Sequence, residues 1–423
     1  MREPVRHRWM DRWLGAKGPA LLGLTHEVGT AFDAFDARPG VRVRRRKPEH
    51  EVTHRTLIET ITANLAYTVI SPPETGRLSV LTGNAVRRVA RYNGPVVGAA
   101  LRDHCWRFAE LGLADHHTST IRREASSIAP TNAFAAAVTR HGVTLTDFGR
   151  RPGEEVIRLT CKEPDPHRPE GGLRESLPYE DTPETDEMRA TVRRINSHIE
   201  GADIAFLEDG GDPVDPNNRV MRRHFLQLNA AETPRFDLGG RLYGGFWQNL
   251  ERGRRSQIRL NGEAVAVLDF ASMFPRLAYA RAGVTPPAGD LYAIPGLEDH
   301  RDAVKLLVNA LLFDNYTRST WPKEAKVGKP HGLRVPQMRR LILAKHPALR
   351  KLFGKRLGLG LMFDESRILI DVLDDLRSRD VPALGLHDGL FVPTSRAEEV
   401  RRIMEEAAEA STGIHLPVTV KPA

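Results

Sequence analysis

The stretch Glu263–Gly283, EAVAVLDFASMFPRLAYARAG, decides how the C-terminal part of this chain is read. Ala264 to Leu268 form an apolar run of strand character that stops at an acid, Asp269. A helix-like pattern follows, in which Met273, Leu277 and Ala280 share a face and Arg276 points elsewhere. An acid at the end of a buried strand lies where it can meet water or a metal ion. Asp is equally a good helix N-cap, so the stretch alone leaves both roles open.

A second acid sits in GLHDGLFVP, residues 385–393. Two short apolar runs, Pro382 to Leu386 and Leu390 to Val392, are joined through His387, Asp388 and Gly389. An Asp-Gly pair between such runs is a strong hairpin signal and by itself reads as a surface turn. Two acids far apart in sequence, one at a strand end and one at a hairpin tip, can meet on neighbouring strands of one sheet. That arrangement suits two divalent cations about 4 Å apart. Magnesium takes a few carboxylates plus phosphate oxygens, so two acids suffice.

Between the acids lies HRDAVKLLVNALLFDN, residues 300–315. Arg301, Lys305, Asn309 and Phe313 recur every four residues and so fall on one helical face. Arg and Lys one turn apart can clamp a triphosphate through charge-assisted bonds, and the ring two turns on can stack near a base. A solvated basic face gives the same spacing when the helix is taken alone.

In order and spacing, LDFASMFPR, RDAVKLLVNALLF and LHDGLF resemble motifs A, B and C of the family A DNA polymerases and the related T7-like single-subunit RNA polymerases. The resemblance also covers GDLYAIPG, GGRLYGGFWQNL and the closing helix and strand, about residues 236–423. It implies an α+β fold: a right-hand palm, an antiparallel sheet with helices, carrying reduced helical fingers. It implies Asp269 and Asp388 as catalytic metal ligands, with the backbone carbonyl of Phe270 as a further oxygen donor. Arg301, Lys305, Asn309 and Phe313 would then contact the incoming nucleotide, and Phe274 would exclude a ribose 2′-hydroxyl. Arg241, Gln248, Arg276 and His387 fall where the family touches nucleic acid.

On that resemblance the chain is a template-directed nucleotidyltransferase using two Mg2+ ions, with Mn2+ as a substitute. Its partners are then a DNA template and primer, with RNA as an alternative, and nucleoside triphosphates. Departures from the family pattern are a short segment between motifs A and C, Phe313 where a Tyr is frequent, and Gly389 in place of a frequent Glu. With no acidic cluster suggesting an exonuclease, short synthesis for a mobile element or plasmid fits a small enzyme. The alternatives are a T7-like RNA polymerase or primase, a non-catalytic DNA-binding replication regulator, and a two-metal nuclease. The Arg-Lys helix favours a triphosphate over the last.

At 423 residues, two or three domains are expected, and 40% hydrophobic with 27% charged residues is an ordinary globular balance. The formal charge of +8, carried mainly by Arg, suits a polyanionic partner. Cys105 and Cys161 cannot build a zinc site by themselves, and a reducing compartment is the simpler reading. No signal-peptide core follows the basic start and no run of about 18 apolar residues occurs, so a cytoplasmic protein off the membrane is expected. Oligomeric state is not legible.

The boundaries read as a basic segment at 1–50, a nucleic-acid-binding domain at 51–160, a linker at 161–186, a helical, thumb-like connection at 187–262 and the polymerase-like domain at 263–423. Within 51–160, PVVGAALRDHCWRFAELGL opens on Pro95 and puts Val97, Leu101, Cys105, Phe108 and Leu111 on one face before Gly112. The following residues, with Arg122 and Arg123 at a turn, read as a two-stranded wing. Helix and wing together resemble a winged helix-turn-helix in a mainly α region; a plain helical packing domain shows the same pattern. Near the end, Asp364 or Glu365 reads as a cap at the start of an amphipathic helix rather than as a third metal ligand.

Overall fold

A computed structural model describes residues 7–40, 46–82, 91–94, 96–119, 124–162, 174–325 and 328–423. The chain divides into two units, Met1–Glu155 and Val156–Ala423. Both mix helices and strands, as the α+β reading requires, and no described helix is long and apolar enough to cross a membrane.

The first unit runs β1 (Arg8–Trp9), β2 (Leu14–Ala16), α1 (Pro19–Asp36), α2 (Pro48–Ile70), β3 (Leu78–Val80), α3 (Gly98–Glu110), β4 (Ala114–His117), β5 (Ser126–Pro130), α4 (Asn132–His141) and β6 (Phe148–Arg150). In α1, Leu21, Leu24, Val28 and Phe32 recur at three or four residues and are buried against Leu57, Ile58 and Ile61 of α2 in one apolar cluster. Residues 1–50 therefore contain a core helix beside their basic run, of which 41–45 lie outside the described residues. The expected face of α3 is inside, with Leu101, Cys105 and Phe108 buried. β4 and β5 pair antiparallel and join a sheet of order β1-β3-β5-β4. Pro95, Arg122 and Arg123 lie outside the described residues.

The second unit continues with β7 (Ile157–Lys162), β8 (Arg174–Ser176), α5 (Pro183–Gly201), β9 (Ile204–Phe206), β10 (Met221–Gln227), β11 (Gly239–Gly244), β12 (Ile258–Leu260), β13 (Glu263–Phe270), α6 (Met273–Arg281), α7 (Arg301–Phe313), α8 (Val335–Lys345), α9 (Gly358–Ser378), β14 (Leu384–Leu386), β15 (Gly389–Pro393), α10 (Ala397–Thr412) and β16 (Val418–Pro422). Residues 187–262, expected from sequence to be a helical connection, carry most of α5 and then four strands. The alternating burial of Met221–Gln227 shows why: the period there is two, not 3.6. Of the linker reading at 161–186, residues 163–173 lie outside the described residues, while β8 pairs with β7.

Two sheets organise this unit. One has the order β11-β10-β7-β8; the other runs β14-β15-β13-β12-β9, with β16 also paired to β13. β13 is antiparallel to β12, β15 and β16. Buried Val265, Ala266, Leu268 and Phe270 anchor it in the core, with α10 packed on β13, β15 and β16. Helix α9 packs against α10, α5, α6 and β11. Asp269 is thereby held at the end of a fixed central strand.

Candidate active site

Asp269 is a strand residue whose Cα partner is Gly389, and the side chain of Asp388 begins one residue earlier on the turn between β14 and β15. The cap reading of Asp269 does not hold, because the residue preceding α6 is Ser272, in the left-handed region at φ 55°. The hairpin closes differently from the expected Asp-Gly turn. His387 and Asp388 are its two central residues, and His387 takes the positive φ, 56°.

Gly389 instead lies within β15, and its lack of a side chain has another use. A Cβ there would sit under 3.0 Å from both Asp269 Oδ1 and the Leu268 carbonyl oxygen, closer than Cβ atoms come. The residue is glycine because the Asp269 carboxylate occupies that space. Among the described residues neither Asp269 nor Asp388 has a hydrogen bond or ion pair to its carboxylate. Burial, and then the neighbouring charge of Asp388, hold the Asp269 carboxyl above the usual carboxylate range, opposed by Lys421, Lys305 and Arg255.

Two partly buried, unpaired and mutually repelling carboxylates fit a divalent cation, which would relieve the repulsion. Among the described residues no group of three or more His, Cys, Asp or Glu is placed to hold a metal. A donor set of two carboxylates that leaves room for substrate oxygens suits Mg2+.

The basic row flanks this pair. Helix α7 buries Val304, Leu307, Val308, Leu311 and Leu312, which leaves Arg301, Lys305 and Asn309 on its other side. Arg301 pairs with Asp290. The Tyr292 ring lies 5.6 Å from the Arg301 guanidinium and 6.0 Å from Lys305 Nζ, and its hydroxyl donates to Asn309 Oδ1 at 3.2 Å. Burial, followed by the charge of Asp388, pushes the Tyr292 hydroxyl upward. Asp290 also accepts from Ser272 Oγ at 3.3 Å and from the Tyr292 amide at 3.0 Å, tying the turn after Asp269 to α7.

At the far end of the row, Phe313 meets Phe274 edge to face with centroids 5.4 Å apart. A Cβ at Gly358 would overlap the Phe313 ring, so the first turn of α9 is its seat. The Arg241 guanidinium lies 5.6 Å from the Phe274 ring and pairs with Glu365 at 2.5 Å.

No protein-family model and no curated protein matches the sequence. Among solved structures, the chain is similar to the POL domain of Pol1 from M. smegmatis in complex with DNA primer-template and dNTP, at 12% identity over 97% of this chain and 67% of that one. The TM-score is 0.31, and a likeness that slight carries no argument.

Four expected nucleic-acid contacts are placed variously. Arg276 is buried, with Nε on the Ala271 carbonyl at 3.0 Å and Nη2 on that of Gly289 at 3.2 Å, so it braces the turn after β13. Gln248 donates to the carbonyls of Gly385 at 2.9 Å and Leu242 at 3.2 Å, fastening the hairpin to β11. Their amide and guanidinium groups are committed to backbone. His387 is exposed, near the Tyr243 ring. Arg241 lies within electrostatic reach of Asp388.

Asp290 and Tyr292 acquire their roles only from the structure, although GDLYAIPG, the segment that carries them, belongs to the resemblance. Asp364 and Glu365 are not the caps that the pattern suggests. Both lie inside α9: Asp364 pairs with Arg281 at 2.7 Å, and Glu365 is only 1% exposed. Burial pushes the Glu365 carboxyl up to about 7, against the pull of Arg241, and Oε1 has no partner.

Proposed function

We propose that the chain is a template-directed nucleotidyltransferase that builds DNA with a two-cation site at Asp269 and Asp388. The observation that carries this reading is the pair of carboxylates without a hydrogen bond or ion pair, Asp269 near the end of β13 and Asp388 on the turn beside it, with Lys305 of α7 within electrostatic reach of Asp269. A nuclease needs the acids; a clamp of two cations one helical turn apart is what an incoming triphosphate needs.

Asp269 and Asp388 would hold the cations, with the Phe270 carbonyl as an additional donor. Cations held there would supply activation of a 3′-hydroxyl and charge stabilisation for a leaving pyrophosphate. Arg301 is pre-set by Asp290, and Lys305 is free to turn toward the triphosphate. Tyr292 keeps both cationic side chains on one side of the helix through its ring face. Phe274, fixed between Phe313 and Arg241, presents a bulky edge against a 2′-hydroxyl, which supports deoxynucleotide selection over the RNA-making alternative.

In the first unit, the α3–β4–β5 order with β3 at the sheet supports a winged-helix contact with duplex DNA. That contact would anchor the template strand and is separable from catalysis.

Purified protein with Mg2+, primed DNA and either nucleotide set should extend the primer with deoxynucleotides, and Asp388→Asn should abolish extension. Retained extension in that variant removes the site. Phe274→Ala should raise the ribonucleotide share of kcat/KM by about tenfold, the order expected for relieving one steric clash. An unchanged ratio removes Phe274 as the gate.

A further inference from the structure

Away from the carboxylate pair, the second unit has a small cavity of about 230 Å³ whose wall is made largely of arginine. Arg339 and Arg340 come from the middle of α8, Arg350 from the 3-10 stretch Pro347–Lys351, and Arg318 with Thr317 from the segment after α7. Leu343 contributes an apolar patch. Arg318 is neutralised by a two-pronged pair with Asp314, at 2.7 and 2.8 Å, and also feels Glu324. Arg339, Arg340 and Arg350 have no carboxylate partner among the described residues.

One detail turns a basic patch into a built site. Arg339 Nε is shielded from solvent and has no hydrogen-bond acceptor. A buried N–H without an acceptor is unfavourable, and on the same wall the exposed Arg340 and Arg350 add positive charge that no carboxylate among the described residues offsets. A water molecule answers the first problem and not the second; an anion answers both.

We infer that this cavity binds a phosphate group. Guanidinium forks with a neighbouring hydroxyl match a tetrahedral oxyanion with several acceptor oxygens better than a single carboxylate. The volume lies below the roughly 300–1,000 Å³ of pockets that enclose a drug-sized ligand, so it suits one phosphate or pyrophosphate and not a whole nucleotide. The group is carried either by a nucleic-acid strand crossing the cavity mouth or by free phosphate or pyrophosphate. The assignment is independent of the proposed nucleotidyl transfer, because binding is what is read.

The test uses the full chain and the double variant Arg339→Gln/Arg350→Gln. Anisotropy of a labelled single-stranded oligonucleotide is followed across salt concentrations, and calorimetry follows inorganic phosphate and pyrophosphate. If a strand supplies the phosphate, the variant binds the oligonucleotide on the order of tenfold more weakly. Its salt slope also falls by about 0.7 for each phosphate that is no longer neutralised. If the source is free, phosphate or pyrophosphate binding is lost and the oligonucleotide is unaffected. Arg339→Lys/Arg350→Lys, which keeps the charge, should retain part of whichever binding is seen. Unchanged binding of all three ligands in a folded Gln variant, or a preference for a poly-glutamate peptide over them, would overturn the assignment.

Discussion

Asp269 and Asp290 lie 21 residues apart and are joined through Ser272, yet the fold treats them in opposite ways. Asp290 is enclosed by donors: Arg301, the Tyr292 amide and Ser272 Oγ. Although burial works against it, these bonds hold its carboxyl below the usual range. Asp269 is given no donor, a like charge for a neighbour and a carboxyl above the usual range. An acid that serves the architecture is satisfied within the chain. On the proposed reading, the other acid is left in deficit, and the deficit is what a bound cation would supply.

This contrast can be broken most directly at the deficit. Asp269→Asn and Asp388→Asn should each lower incorporation by at least about a hundredfold, the scale of removing one electrostatic stabiliser from a transition state. Each should leave the melting temperature unchanged or higher, because one member of a repelling pair is gone. A marked fall in melting temperature would make the pair architectural. Gly389→Ala drives a methyl into the space of the Asp269 carboxylate and against the Leu268 carbonyl oxygen. It should cost about 1–3 kcal/mol of stability as overpacking and lose incorporation with it, checked by denaturant melts beside the extension assay.

Asp290→Asn probes the satisfied acid. It should destabilise by about 1 kcal/mol once solvent screening of a part-exposed pair is allowed for, and it should raise KM for the triphosphate more than it lowers kcat. An equal loss in kcat would give Asp290 a role in the chemistry. The smallest effect concerns Glu365. Its folded carboxyl is raised to about 7 while an unfolded one sits near 4.5, so the folded chain holds the extra proton between these values. That stability is present below pH 4.5 and is lost as pH rises through about 7. Glu365→Gln should flatten the fall in melting temperature across this window, read in thermal melts at a series of pH values.

The strand ending at Asp269, the four-residue row on α7 and the hairpin before Leu390 were legible because each is a local periodicity broken by a single charged or turn residue. The α+β class was legible for the same reason. The conformation of the hairpin was not, since Gly389 looks like the turn residue and is a strand residue kept small by a side chain 120 positions away. The start of α9 was hidden by Gly358 and Gly360, poor helix formers. One makes room for the Phe313 ring; the other lies against the Arg281 guanidinium. With that start obscured, Glu365 reads as a cap instead of the buried partner of Arg241. Arg276 and Gln248 show the converse: types that suit nucleic acid, bound here to backbone carbonyls that no sequence pattern reveals.

The pairing of β13 with β16 has a consequence for synthesis of the chain. The Thr419 hydroxyl donates to the Asp269 carbonyl across 150 residues of sequence. Loops of that length close late, and the strand that carries the first carboxylate has no β16 beside it until about 150 further residues have been made. The first unit, whose strands and helices all lie before residue 156, is free to fold early. Translation therefore imposes an order on assembly, with the carboxylate pair completed after the first unit has been made.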